Sequence, residues 1–422
     1  MHLSSRSAAL WLTGCHKRAF NSSSAHVVII GGGFGGATAA KMIKQLDSSI
    51  KVTLIEPKQH YITCPGSNWV LAGFKKIESL NVSYQQLLSR YDVGIIHQKV
   101  ATINPEKHYV TLSDKQKIPY DRLIVSPGID FRWELIEGHD NSTSHLIPHA
   151  WKAGIQTTLL KNQLQAMKNG GTVVICAPPN PFRCPPGPYE RASMIAYYLK
   201  QHKPKSKIII LDAKSQFSKQ QLFFKSWEKH YGFASNNSMI EWHSIPDNPI
   251  RKIDIKNRQL ETDFGDIFKA DVLNYIPTQK AANIAHTAGL CDESGWCPVN
   301  HQTSESTLHP DIHVIGDASI QNPIPKSAFA ANAEAKVCAF AVVNLLNQFE
   351  AIEPLWVNTC YSLITQEQGI SIAMVYKLNQ QGKIIKVTGA GGVTPNIAEA
   401  TLTIEANNAK RWLKTIVMDS FK

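Results

Sequence analysis

The stretch that most constrains this chain is residues 26–36, His-Val-Val-Ile-Ile-Gly-Gly-Gly-Phe-Gly-Gly. Four apolar residues, 27–30, predict a strand buried on both faces, as in a parallel sheet. Gly31, Gly33 and Gly36 fit G-x-G-x-x-G, with Phe34 inside the motif. Residues 37–46 then predict a helix, and 52–55 a second strand that ends at Glu56. The glycines supply a tight turn, close approach to a pyrophosphate, and close packing of helix on strand. The helix N-terminus offers free N–H groups to the phosphates. Glu56 stands 20 residues after Gly36, where a carboxylate takes ribose hydroxyls. Taken in this order, strand, glycines, helix, strand and acid predict a dinucleotide-binding unit.

A second unit of the same kind begins at Gly171-Thr-Val-Val-Ile-Cys176 and breaks its own pattern. Where glycines belong, the chain has Ala177-Pro178-Pro179-Asn180-Pro181. Prolines lack the N–H donor and fix φ, so this turn cannot cradle a pyrophosphate. The second unit therefore predicts a nucleotide fold without NADH or NADPH. The turn continues as Phe182-Arg183-Cys184-Pro-Pro-Gly-Pro-Tyr-Glu190. A strand-to-helix turn sets Cys184 near a helix N-terminus, where a thiolate is favoured, and Arg183 adds positive charge. Glu190, six residues on, is placed to exchange protons in the same cleft. The competing reading is a rigid proline-rich loop with an incidental cysteine.

Further expectations follow in chain order. Residues 95–112 alternate like hairpin strands, 120–128 make a strand and turn, and 151–168 predict a helix. His313-Val-Ile-Gly316-Asp317 is a strand ending in Gly-Asp, resembling the ribityl-binding turn of disulfide-reductase-like flavoproteins. Lys326 opens the segment that starts the next helix, whose N-terminal dipole would favour negative charge on a flavin. Residues 370–378 and 383–388 alternate as strands, and a terminal helix surrounds Trp412.

A net charge of +11 favours anionic substrates or acidic partners. The absence of a run of five Lys or Arg argues against nucleic acid. No apolar stretch is expected to reach the roughly 18 residues that span a bilayer. The first 25 residues read as an export signal or a tail. Arg6-Ser7 stands where a twin-arginine signal has its second Arg, and Leu12-Thr-Gly-Cys15 resembles a lipoprotein box. The expected location is thus the periplasm, with Cys15 a lipidation candidate. The eight cysteines contain no Cys-x-x-Cys, which excludes a thioredoxin site, a zinc ribbon or a c-type haem on this chain. Cys291 and Cys297, six residues apart, bridge locally or simply pack.

Together the Cys64 loop, Cys184-Pro-Pro-Gly-Pro-Tyr-Glu190, Gly316-Asp317 and Asn358-Thr-Cys360 resemble the flavoprotein subunit of flavocytochrome c sulfide dehydrogenase. The resemblance implies an α/β chain of two Rossmann-like domains, of the disulfide-reductase-like flavoprotein type, plus a C-terminal α+β interface domain. It divides the chain into a discontinuous FAD domain (26–135 and 290–352), a second nucleotide-fold domain (136–289) and a C-terminal domain (353–422). It implies FAD held by Gly31, Gly33, Phe34, Gly36, Glu56, Gly316, Asp317 and Lys326. The family's covalent flavin link falls on Cys64, here followed by Pro65-Gly66 in place of bulkier residues. A redox disulfide falls on Cys184 and Cys360, and the acid–base role on Glu190. Electrons would pass to a c-type cytochrome subunit carrying the haem. The rival readings are a sulfide:quinone oxidoreductase and a flavin-binding scaffold without turnover.

Overall fold

His26–Ile30 is the central strand of a five-stranded parallel sheet. Its order is Ile312–Val314, Arg122–Val125, His26–Ile30, Lys51–Ile55, Gly94–Ile96. The structure is a computed structural model and describes residues 25–422. The export-signal reading and Cys15 lie outside the described residues. Val27, Val28 and Ile29 are fully buried, as a strand covered on both faces requires. The helices Phe34–Leu46 and Ala328–Leu346 pack against each other beside this sheet. Gly31 has φ +95° and Gly36 abuts it: a Cβ on Gly31 would lie 2.3 Å from the Ser126 carbonyl oxygen, and one on Gly36 1.9 Å from the Gly31 oxygen. Both positions exclude any side chain, which is why the turn is tight enough to end a strand and begin a helix at once.

The second unit is a four-stranded parallel sheet ordered Ile240–Ser244, Lys207–Asp212, Thr172–Ala177, Val272–Tyr275. Each unit also carries a three-stranded antiparallel meander, strands Val100–Asn104, Tyr109–Leu112 and Lys117–Pro119 in one, Ile250–Asp254, Gln259–Thr262 and Ile267–Lys269 in the other. The helix expected over 151–168 is shorter, Ile155–Ala166, because Gly154 (φ +111°) turns the chain first. That frees Trp151 to line the cavity described below.

The C-terminal part holds one strand more than expected. Leu355–Leu363, Gly369–Leu378 and Ile384–Val393 form an antiparallel sheet, and the helix Glu399–Phe421 returns to the first unit. On Leu355–Leu363 the residues Trp356, Asn358, Cys360 and Ser362 are buried, the period of two expected of a strand with one covered face. That alternation points Cys360 inward.

The expectation about apolar stretches needs a correction. Among the described residues one helix, Ala328–Leu346, is long and apolar enough in composition to cross a bilayer. It is a core helix: Cys338, Ala339 and Val342 are wholly buried, and Asn332 clamps it to the C-terminal helix through Asp419 and Ser420.

Replacing Gly31 by alanine is expected to lower the unfolding free energy by roughly 2–4 kcal/mol, from left-handed strain and overlap together. Urea denaturation measures this, and an unchanged midpoint would contradict the close approach to Ser126.

Candidate active site

The dinucleotide half of the site follows from the first turn. The helix Phe34–Leu46 has Gly33 as its N-cap, with no side chain capping it and no acid in its first turn. Its N–H groups therefore remain for a ligand. A Cβ on Gly33 would meet nothing closer than the Tyr61 ring at 3.8 Å, so this glycine leaves room for a pyrophosphate. Glu56 is fixed at the end of its strand by N–H donors from Gly32 (2.9 Å, to Oε2) and Lys58 (3.0 Å, to Oε1). Tyr61 stacks on Phe421 and meets Phe34 edge-on, which ties the end of the C-terminal helix beneath this loop.

An open cavity continues from there, lined among others by Gly33, Cys64, Cys184, Glu190, Asp317 and Cys360. Arg183, from the second unit, reaches across and its Nε donates to Asp317 Oδ2 at 2.5 Å. Burial opposes the Arg183 charge, but Asp317 outweighs it and holds the guanidinium protonated. Asp317 Oδ1 is buried with no hydrogen-bond partner among the described residues. An unpartnered acceptor on a residue that lines the cavity fits the ribityl hydroxyl of a flavin. The Gly316 N–H donates to Glu334 Oε2 (2.7 Å), fixing the turn. Burial pushes the Glu334 carboxyl up to about 8. Glu334 was not anticipated; a single acid inside the apolar run 328–346 was its only signal.

One expected cofactor residue, Lys326, departs in detail, and Cys64 does not. The Lys326 side chain does not line the cavity. Its Nζ donates to the Ser319 carbonyl (2.8 Å) and lies over the Trp296 ring (4.0 Å), while its carbonyl accepts the Cys184 N–H at 2.8 Å. Lys326 therefore positions Cys184 rather than a ring. Cys64 does line the cavity, with Sγ 3.8 Å from Arg183 Nη1. Pro65-Gly66 start the short helix Ser67–Leu71 without turning the thiol away, since Gly66 takes φ +83°.

Cys184 and Cys360 line this one cavity, although 176 residues separate them in the chain. Both are free thiols, so the pair stands in its dithiol form. The expected thiolate bias at Cys184 is overturned. Burial pushes its thiol well up, Cys360 and Glu190 push the same way, and Arg183 is committed to Asp317. The opposing cation is Lys219, which the sequence reading missed. Its Nζ donates to Ser362 Oγ (2.9 Å) and to the Cys360 carbonyl (3.1 Å). Burial brings this ammonium down to about 8, against the pull of Cys360, Glu190 and Cys184. Lys219 has φ +63° and no motif around it, so only the fold reveals it.

Glu190 faces the cavity, but its carboxylate is spoken for. Asn68 Nδ2 (2.9 Å), Trp69 Nε1 (3.1 Å) and the Leu363 N–H (3.0 Å) all donate to it. It joins the first unit, the second unit and the strand that carries Cys360.

At the second nucleotide fold, Asp212 ends its strand as Glu56 does in the first. It is fully buried and receives Tyr189 Oη (2.6 Å), Lys214 Nζ (2.6 Å) and Trp242 Nε1 (2.9 Å). Tyr189 stacks on Phe217 with ring centroids 3.5 Å apart. The position of a ribose-binding acid is saturated by the chain itself.

Comparison with known proteins agrees with this geometry. Residues 157–277 match the family model for the central part of the sulfide dehydrogenase (flavocytochrome c) flavoprotein chain. Residues 352–421 match the flavocytochrome c sulphide dehydrogenase flavin-binding model, and 25–172 the pyridine nucleotide-disulphide oxidoreductase model. The mitochondrial sulfide:quinone oxidoreductase of Mus musculus is 25% identical over 332 residues, 74% of this chain and 69% of that one. The flavoprotein chain of flavocytochrome c sulfide dehydrogenase from Chlorobaculum thiosulfatiphilum is 61% identical over 44 residues, 10% of this chain and 92% of that sequence. The solved sulfide:quinone oxidoreductase of Aquifex aeolicus superposes with a TM-score of 0.72 at 19% identity, over 94% of this chain and 92% of that one.

Exchanging Glu190 for glutamine leaves at least one of its three donors facing an amide NH2. The expected cost is about 1–3 kcal/mol of stability, with weaker flavin retention. Thermal melting and the flavin-to-protein absorbance ratio read both; wild-type values for both would mean the three donors are not what holds this face.

Proposed function

The chain belongs to the flavoprotein family of sulfide dehydrogenases and sulfide:quinone oxidoreductases, and from that premise we infer that it oxidises hydrosulfide at Cys184 and Cys360 and delivers the electrons to a c-type cytochrome. The observation that carries this reading is the convergence of Cys184, Cys360 and Asp317 on one cavity, with the Lys219 ammonium on the Cys360 carbonyl behind it. The residues fit FAD. Gly31, Gly33, Phe34, Gly36 and Glu56 would hold its dinucleotide, Asp317 its ribityl chain, and Cys64 is the candidate for a covalent bond. Bound flavin would supply the two-electron acceptor that recloses the disulfide, once a second hydrosulfide has taken the persulfide's outer sulfur as hydrodisulfide and left the dithiol.

The chain's own residues do the rest. In the disulfide form, hydrosulfide attacks one sulfur, which becomes a persulfide while the other leaves as a thiolate. Lys219 steadies that negative charge from below pH 8, where it is protonated. Glu190 fixes the approach, and its proton-transfer role in this reading requires one of its three donors to give way. The saturated Asp212 and the prolines 178, 179 and 181 support a reading without NAD(P). Export to the periplasm, and haem on a partner chain, complete the proposal.

A sulfide:quinone oxidoreductase is the second reading. The mouse relative's much longer alignment favours it, as does an apolar groove lined by Phe340, Ile352, Leu355 and Val357, all exposed. Steady-state turnover with a soluble cytochrome c against a short-chain quinone separates the two.

In stopped-flow mixing, sulfide is expected to bleach the wild-type flavin. Cys184→Ser and Cys360→Ser are each expected to slow this on the order of 10³-fold or more. Bleaching at the wild-type rate in either variant would leave the scaffold reading standing. Acid precipitation that keeps yellow colour in the pellet, and loses it in Cys64→Ser, is the expected sign of a covalent flavin.

Lys219 sets a pH dependence. The ammonium is charged below about 8 and neutral above it, so the bleaching rate should gain a descending limb near pH 8 that Lys219→Met lacks. Unfolded lysine titrates near 10.4, so between those values the unfolded chain binds the extra proton and stability rises with pH. Lys219→Met should flatten that rise in urea titrations from pH 7.5 to 10.

A further inference from the structure

Outside the cavity, Cys291 and Cys297 face one another with sulfurs 3.6 Å apart. The two residues flank a tight turn. The Asp292 N–H donates to the Trp296 carbonyl and the Gly295 N–H to the Asp292 carbonyl, both at 3.0 Å. The register that opposes the two thiols is therefore set by backbone, and the sulfurs have about 1.6 Å to close to reach the roughly 2 Å of an S–S bond. Neither residue lines the cavity of Cys184 and Cys360.

The other cysteines outside the cavity are different. Cys176 and Cys338 are buried singly in apolar cores that push their thiols up, which is the behaviour of small packing residues. Cys291 is half-buried and reachable from solvent, while Cys297 is fully buried behind it. This asymmetry is that of an attacking thiol and a resolving thiol. Hydrogen bonding between the two lowers the Cys291 thiol and raises that of Cys297, so the accessible sulfur gives up its proton more readily than the buried one.

We propose that Cys291 and Cys297 are a second redox-active pair, closed by exchange with a small-molecule disulfide. The Cys291 thiolate attacks one sulfur of that disulfide, forming a mixed disulfide and expelling one thiolate. Cys297 then attacks Cys291 Sγ, forming the local S–S bond and expelling the second thiolate. The two protons lost by the pair end on the two leaving thiolates. The pair is oxidised by two electrons and the small disulfide is reduced by two. The site is linked to the cavity. Trp296 lies under the Lys326 ammonium, and Lys326 holds the Cys184 N–H through its carbonyl.

The test uses the full chain with its flavin. It is incubated with excess oxidised glutathione, denatured in iodoacetamide, and peptide-mapped by mass spectrometry. The expected result is a peptide spanning 291–297 that is two hydrogens lighter and unalkylated, regenerated by dithiothreitol. Cys297→Ser is expected to trap glutathione on Cys291, and Cys291→Ser to carry no adduct. Full alkylation of both residues in the wild type overturns the proposal, as does glutathione on Cys297 in place of Cys291. Should Cys297→Ser not fold, the wild-type map and Cys291→Ser decide alone. None of these readouts depends on sulfide turnover, so the failure of either reading leaves the other testable.

Discussion

The site rests on the ion pair between Arg183 and Asp317. It joins the proline-rich turn of the second unit to the Gly-Asp turn of the first. Two charges in a largely water-free place are costly to bury, and removing one partner of such a pair typically costs about 3–5 kcal/mol. Here the pairing does more than offset desolvation. It consumes one oxygen of Asp317 and leaves the other buried without a partner among the described residues. It also ties the guanidinium to the first unit, while Lys219 is the cation that holds the Cys360 carbonyl. One contact thus decides what is offered to the cofactor and what is offered to the sulfur chemistry.

The second nucleotide fold keeps the scaffold of the first but fills its turn and its strand end with the chain's own residues. Its strands keep the parallel order. The phosphate turn has been rebuilt with prolines, and the acid at the end of the next strand has been absorbed into a buried network of Tyr189, Lys214 and Trp242. A carboxylate that is fully buried needs such partners. The same turn carries Arg183, Cys184 and Glu190 to the cavity shared with the other unit.

Much of this was legible in the chain. The glycine turn, the acid at position 56 and the Gly-Asp strand follow from local spacing, because each function there is carried by backbone or by a residue at a fixed offset. The broken turn at 177–181 was equally plain, since proline has only one way to behave. What was not legible depended on burial or on distant segments. The helix N-terminus at Cys184 suggested a thiolate, but desolvation dominates there. Lys326 was placed correctly in the backbone while its side chain turned to Trp296. Lys219 comes from an unremarkable loop, and the strand that directs Cys360 inward hid in a mixed segment. Cys291 and Cys297 were equally open to bridging or packing until the turn between them set their register.

The cavity draws Cys64 and Asp317 from the first unit, Cys184 and Glu190 from the second, and Cys360 from the C-terminal sheet. A chain emerging from the ribosome makes its N-terminal domain first. Both parallel-sheet units can therefore close before the strand bearing Cys360 exists. Until that strand docks, Cys184 has no partner sulfur and Lys219 no carbonyl at residue 360 to hold. The oxidisable centre is thus assembled last in the life of the polypeptide, after the shell that shields it.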